Sequence, residues 1–352
     1  MSLDLIQAIR AQSKLHISQA ISLVENQKVE ANQLLSDLFK YTGNAFRIGI
    51  TGPPGAGKSS LTNNLLASFR GNGRSVAVIA IDPTSPFSGG AVLGDRIRMK
   101  THHSDDHVFI RSMATRGARG GLAIQSEQVG EIFDAANFDI IIYETVGVGQ
   151  IELDIIQAVD TVLVVLVPES GDEVQMLKAG LIEIGNIFAI NKADRPGSNK
   201  LMISLKNLFS NFTYDDTTWK PAVIHTIATE GIGTTDLLES IQKHQSFNKS
   251  KGVRGQKYTD RYYRRVHSLV NEKFHQTFWD DEKTKLLQCE MKKKPQEILK
   301  LAVKRMLPRG PLAKKQLTKL KIYKGTSHPH ESQNPKIINF AKINSKNQIS
   351  VN

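Results

Sequence analysis

Seven short apolar runs, separated by longer stretches with helical periodicity, dominate the chain between residues 46 and 227. The runs at 46–51, 75–81, 107–111, 138–144, 160–167, 186–191 and 222–227 predict strands. Ile140-Ile141-Ile142 and the run from Val162 to Val167 are continuous rather than alternating, as expected of strands covered by helices on both faces. Strands alternating with helices predict a mostly parallel sheet built of βαβ units, an α/β fold. Ahead of them Leu5, Ile6, Ile9, then Ile17, Ile21, Val24, then Leu34, Leu35, Leu38 recur near helical spacing, which predicts a helical appendage over 1–43. Beyond Glu239 the strand signals stop. The polar, glycine-punctuated stretch 243–257 predicts a linker. A helical region follows over 258–324, with helices at Tyr258–Trp279, Glu282–Met291 and Gln296–Leu307, and an aperiodic polar tail at 325–352. Tyr262, Val266, Leu269, Val270 and Phe274 share one face of the first of these helices, a stripe suited to core packing or a dimer interface.

Composition changes this picture little. The chain has 352 residues, of which 40% are hydrophobic and 23% charged, enough to bury a full α/β core and carry appendages. No apolar run approaches the ~18 residues of a membrane helix, the N-terminus lacks a leader pattern, and Cys289 is the single cysteine. The expected location is the cytoplasm. Charge adds an asymmetry. Residues 1–240 carry 20 Lys+Arg against 26 Asp+Glu, whereas residues 241–352 carry 26 against 8. A basic block of this kind suits nucleic acid, an anionic membrane or an acidic partner, and equally a solvated face with a disordered tail.

Three motifs carry chemistry. Gly52-Pro53-Pro54-Gly55-Ala56-Gly57-Lys58-Ser59 matches the P-loop pattern between a predicted strand and a helix opening at Ser60. Backbone N–H groups and the helix dipole cradle phosphates there, Lys58 reaches the outer phosphates, and Ser59 offers its hydroxyl to Mg²⁺. Asn191-Lys192-Ala193-Asp194 follows the strand at 186–191. The Asp194 carboxylate can accept from N1–H and N2–H₂ of guanine, a donor pair adenine lacks; Lys192 can lie along the base and Asn191 can brace the loop. Glu144-Thr145-Val146-Gly147-Val148-Gly149-Gln150 leaves the strand at 138–144. Glu144 is placed to hold Mg²⁺, Gly147 to bring its N–H to a γ-phosphate, and Gln150 to position the attacking water. The expected ligand is GTP with Mg²⁺. His102, His103 and His107 cluster without a cysteine and read as a solvated loop rather than a metal site.

The stretches Asp82 to Met99, Ile110 to Gly117, Glu144 to Gln150 and Gly171 to Gly180 resemble one family, the MeaB/ArgK GTPases of the SIMIBI class. These are G-protein chaperones of the adenosylcobalamin-dependent methylmalonyl-CoA mutase. The resemblance covers about Ile17 to Leu238 and implies a P-loop NTPase domain over 44–242. It implies that Asp82, Asp95 and Glu144 surround the Mg²⁺ and γ-phosphate, and that Asp82 joins Lys58 and Gln150 in catalysis. It further implies switch segments at Asp82 to Met99, with Arg96, and at Glu144 to Gln150. A third segment, Gly171 to Gly180 with Lys178, would sense the partner. Arg111, Arg116 and Arg119 read as contacts to phosphates or that partner, and equally as a solvated loop. In the place of the Ser-Ala pair whose backbone N–H meets the guanine carbonyl stands Ile227-Ala228-Thr229, so Ala228 and Thr229 join the expected guanine contacts. The partners implied are an acyl-CoA mutase and a cobalamin adenosyltransferase. Relatives dimerise through C-terminal helices, whereas this chain runs on into a basic tail. Alternatives are a nickel-insertion GTPase, which needs Cys/His ligands near the switches, a P-loop kinase, which needs no guanine selectivity, and a nucleic-acid-binding GTPase using 241–352.

Overall fold

All seven apolar runs form strands, and all pair in parallel. The computed structural model describes residues 3–26, 28–82, 104–114, 121–145, 158–168, 181–278, 300, 303–304, 315 and 317–322. In chain order the elements are α1 (Leu3–Arg10), α2 (Lys14–Glu25), α3 (Val29–Leu38), a 3₁₀ turn (Phe39–Tyr41), β1 (Phe46–Thr51), α4 (Lys58–Gly71), β2 (Val76–Asp82) and β3 (Val108–Ala114). There follow α5 (Gly121–Ala135), β4 (Ile140–Glu144), β5 (Thr161–Leu166), α6 (Leu181–Ile184), β6 (Ile187–Ile190), α7 (Ser198–Ser210), β7 (Ala222–His225), α8 (Thr234–Ser250) and α9 (Val253–Phe278). The strand order is β3-β2-β4-β1-β5-β6-β7. β1 therefore lies centrally, with Ile50 opposite both Glu144 of β4 and Leu163 of β5.

Side chains along the strands alternate between two cores. Ile140 and Ile142 of β4 pack with Leu61, Leu65 and Leu66 of α4 and with Leu237 and Ile241 of α8. Ile141 and Tyr143 face the other way, into Phe133 of α5, the N-terminal helices and Phe209 of α7. The β-branched run Thr161–Leu166 is buried throughout, as covering both faces requires. Close packing of α5 on β4 needs Gly130, because a Cβ there would stand 1.8 Å from the Tyr143 hydroxyl.

The N-terminal stretch forms α1, α2, α3 and the 3₁₀ turn, packed on α5. One expectation changes. The linker expected at 243–257 is largely helix: α8 runs to Ser250, the chain turns at Lys251-Gly252, and α9 starts at Val253. The cause is burial of polar groups. His244 and Asn248 are 2% and 4% exposed; His244 Nδ1 meets Thr161 Oγ1 at 2.7 Å, its ring packs edge-on to Trp219, and Asn248 donates to the Asp160 carbonyl. The chain divides into two compact units, Met1–Val266 and His267–Asn352. The helix expected at Glu282–Met291 and the tail at 325–352 lie outside the described residues, as does most of Gln296–Leu307.

Candidate functional site

The site begins where β1 stops. Gly52 has φ +141°, and a Cβ on it would lie 2.0 Å from the Val165 carbonyl oxygen. Gly57 caps α4 with φ +91°, and a Cβ there would lie 2.2 Å from Asn191 Nδ2. Only glycine serves at either place, so the loop Gly52–Gly57 keeps its backbone close to β5 and to Asn191. It opens directly onto the N-terminus of α4, whose first N–H groups have no partner within the helix and favour an anion.

Lys58 and Ser59 are buried in the first turn of α4. Lys58 Nζ donates to the carbonyls of Gly52 (2.9 Å) and Pro53 (3.0 Å), which folds the ammonium back over the loop. Ser59 Oγ donates to Glu144 Oε1 at 2.5 Å. Glu144 is 5% exposed, and the next residue, Thr145, donates its N–H to Ile50, fastening the end of β4 to β1. A hydroxyl and a carboxylate in contact beside a phosphate cradle are hard oxygen donors, the kind Mg²⁺ takes. Asp82 occupies the last position of β2, whose Ala80 is the register partner of Glu144, so both acids stand at one edge of the sheet.

The base end is organised by Asn191, itself 2% exposed. Its Nδ2 donates to the Ala56 carbonyl (2.8 Å), and its Oδ1 accepts from the Ala228 N–H (3.0 Å) and Thr226 Oγ1 (3.3 Å). Asn64 of α4 donates to the Ala228 carbonyl at 2.8 Å. One amide thus clips the phosphate loop to the loop after β7. Lys192 takes the left-handed backbone (φ +56°) where the chain turns from buried Asn191 to exposed Asp194; Thr229, on the loop after β7, is exposed as well. The Ala228 N–H, expected on the guanine carbonyl, is engaged by Asn191 here, and Thr229 is the exposed neighbour.

The remaining expected residues divide in two. Arg111, on β3, is paired with Glu25 of α2 through Nε at 3.2 Å and through Nη2, so it fastens the N-terminal helices to the sheet. Asp95, Arg96, Arg116, Arg119, Gly147, Gln150 and Lys178 lie outside the described residues, as do His102 and His103; His107 is exposed.

At the opposite edge of the sheet is a group that sequence reasoning missed. The Asp160 carboxylate accepts from the Arg47 N–H (3.0 Å) and from Arg261 Nη1 (3.1 Å), while its carbonyl takes Lys257 Nζ (2.9 Å). Asp134 accepts the backbone N–H groups of Gly43, Asn44 and Ala45, and Arg47 Nη2 at 3.3 Å. Asp134 and Asp160 are each 1% exposed and Arg47 2%. Burial pushes the Tyr143 hydroxyl beside Arg47 up to about 12 and lowers Lys257, against the pull of Asp160. The signal in the sequence is weak: a charge at the start of each of two otherwise apolar strands, Arg47 and Asp160.

Comparison with known proteins agrees with this geometry. Residues 17–283 match the model of the family described as methylmalonyl-CoA mutase-associated GTPase MeaB. A second model, Ribosomal protein L13, matches residues 253–329. A Pyrococcus horikoshii chain that carries only a provisional GTPase name is 44% identical over 271 residues, 76% of this chain and 85% of that one. The GTPase ArgK of Escherichia coli is 33% identical over 246 residues, 67% of this chain and 73% of its own. Among solved structures, one titled LAO/AO transport system kinase superposes with a TM-score of 0.64 at 24% identity, over 90% of this chain and 96% of that one, which shows the shared fold. The chain belongs to the family of methylmalonyl-CoA mutase-associated GTPases, and it is a GTP hydrolase on a P-loop α/β fold.

Proposed function

We propose that this GTPase is a nucleotide-controlled chaperone for an adenosylcobalamin-dependent acyl-CoA mutase, with methylmalonyl-CoA mutase as the client. The family match over 17–283 carries the partner assignment, and the site explains the control. GTP is gripped at both ends by one connected unit, because Asn191 joins the phosphate loop at Ala56 to the base loop at Ala228. Asp194 accepts the two guanine donors and Thr229, beside Ala228, supplies its N–H to the carbonyl oxygen. Lys58 leaves the Gly52 and Pro53 carbonyls for the outer phosphates, exchanging two neutral acceptors for charged ones.

Ser59 and Glu144, with Asp82 and Asp95, would hold Mg²⁺, which would supply neutralisation of charge developing on the transferred phosphoryl group. Breaking the Ser59–Glu144 hydrogen bond when the triphosphate enters moves the start of the segment Glu144 to Gln150, which carries Gly147 and the water-orienting Gln150. That segment and Asp82 to Met99 with Arg96 then differ between the triphosphate and diphosphate states. The difference is what a partner, met through Arg116 and Lys178, can read. The protein works in the cytoplasm as a homodimer alongside a cobalamin adenosyltransferase. Turnover measured with and without the mutase tests the reading: the mutase should raise the GTP hydrolysis rate. Unchanged hydrolysis with intact GTP binding would remove the client and leave the GTPase.

A further inference from the structure

The loop after β7 is a turn whose peptide groups can be accounted for in sequence. The Ile227 carbonyl accepts the Glu230 N–H at 3.0 Å, so Ala228 and Thr229 are its central residues. Behind the turn the Ile227 N–H donates to the Ile232 carbonyl (3.0 Å), and Gly231 and Gly233 take the left-handed backbone. The peptide group entering the turn is fixed at both ends, its carbonyl by Glu230 and the Ala228 N–H by Asn191 Oδ1. The group leaving it is fixed through the Glu230 N–H. Between them lies the peptide from the Ala228 carbonyl to the Thr229 N–H, and it is held from its carbonyl end: Asn64 Nδ2 of α4 donates there at 2.8 Å. Among the described residues the Thr229 N–H has no partner, and Thr229 is exposed where Ala228 is buried.

A trans peptide group is planar, with its C=O and N–H pointing in opposite directions. A grip on the Ala228 carbonyl from α4 therefore aims the Thr229 N–H away from that helix, and it polarises the N–H into a better donor. Because α4 carries Lys58 and Ser59 in its first turn, the aim is set in the same frame as the phosphate cradle. We infer that Asn64 is a positioning residue for guanine recognition: it orients the Ala228–Thr229 peptide so that the Thr229 N–H meets the carbonyl oxygen of the base. This rests on the proposed contact between Thr229 and that oxygen. Asn64 acts through the peptide plane rather than on the nucleotide. A role limited to satisfying the Ala228 carbonyl would serve the fold, but it would be blind to which atom of the base faces Thr229.

Equilibrium titration of the full chain with GDP, 6-thio-GDP and IDP separates the two roles. In 6-thio-GDP both donors read by Asp194 remain, but sulfur, a larger and weaker acceptor, replaces the carbonyl oxygen. IDP keeps that oxygen and lacks the amino group. The parent chain should favour GDP over 6-thio-GDP by about threefold or more. Asn64→Ala should weaken GDP and IDP by the same factor, about five- to tenfold, and 6-thio-GDP by less than about twofold. Asn64→Asp keeps the shape but turns an acceptor toward the Ala228 carbonyl, and should show the same pattern with at least as large a loss. Retained 6-thio-GDP binding shows at once that the variants are folded. Unchanged GDP affinity in either variant, or an equal loss for all three nucleotides, would overturn the inference and leave the Thr229 contact standing. A parent chain that binds 6-thio-GDP as tightly as GDP would remove the Thr229 contact itself, and the part of Asn64 with it.

Discussion

The two edges of the central sheet are built on opposite terms. At the edge where β1 and β4 end, the charged groups hold provisional partners: Lys58 rests on its own loop carbonyls, and Ser59 on Glu144. At the other edge Asp160 and Asp134 are saturated by fixed donors, several of them backbone N–H groups. Under the proposed function the first arrangement is exchanged for a triphosphate at little cost, because each hydrogen bond broken is replaced by a stronger one. The second cannot be exchanged at all, since removing any member strands a buried charge.

The largest expected effect breaks the fixed edge. Asp160→Ala leaves the Arg47 N–H and the Arg261 guanidinium buried without their acceptor, and should cost about 3–5 kcal/mol of stability in urea unfolding. GTP affinity of the remaining folded protein should stay near that of the parent. A large drop in affinity with little change in stability would invert the comparison. Next is the exchangeable edge. Lys58→Ala should lower kcat/KM for GTP by about 10²–10³, equivalent to about 3–4 kcal/mol of transition-state stabilisation. Thermal unfolding should move little, because the hydrogen bonds from Lys58 to the Gly52 and Pro53 carbonyls stay within its own loop. A collapse in melting temperature would place Lys58 among the fixed groups instead.

Acid should also separate the edges. His244 lies beside the Asp160 network and is buried, chiefly for which reason its folded pKa falls from 6.5 to about 4, with nearby Lys257 lowering it further and Asp160 opposing. Unfolded, the ring takes up a proton below pH 6.5; folded, it stays neutral until about pH 4. Between these values the unfolded chain binds more protons, so the His244 contribution is complete above pH 6.5 and is lost as the pH falls toward 4, by about 3 kcal/mol at most. Denaturation at a series of pH values checks this, and His244→Gln should flatten the fall. An unchanged slope in that variant would assign the acid sensitivity to other groups.

What can be read from the sequence follows the same division. The phosphate loop is legible because its parts are contiguous: strand, glycines, Lys58 and helix follow one another from Phe46 to Gly71, and glycine spacing reports backbone geometry directly. Asn191 is legible as a brace, but not its hold on Ala56 and Ala228, which the fold brings together from three places in the chain. The fixed edge is nearly invisible, since Arg47, Asp134, Asp160 and Arg261 are spread over more than two hundred residues and each alone looks like a surface charge. The linker expected at 243–257 fails for the same physical reason. Polarity suggests exposure there, whereas His244 and Asn248 are polar because the groups they bury against, Thr161 and the Asp160 carbonyl, are polar.

The smallest expected effect sharpens that last point within one turn of α8. Lys243 adjoins His244 in sequence but points outward, 69% exposed, with its Nζ 3.3 Å from Glu239 one turn earlier. That pair is solvated and salt-screened, and holding it costs side-chain entropy, so Lys243→Ala should change stability by no more than about 0.5 kcal/mol and should leave the pH profile unaltered. Two adjacent residues of one helix should then differ several-fold in their hold on the fold, with burial rather than sequence position or charge deciding between them. A Lys243→Ala destabilisation approaching that of His244→Gln would mean that α8 as a whole is marginal, and that the fixed edge depends on the helix and not on the buried ring.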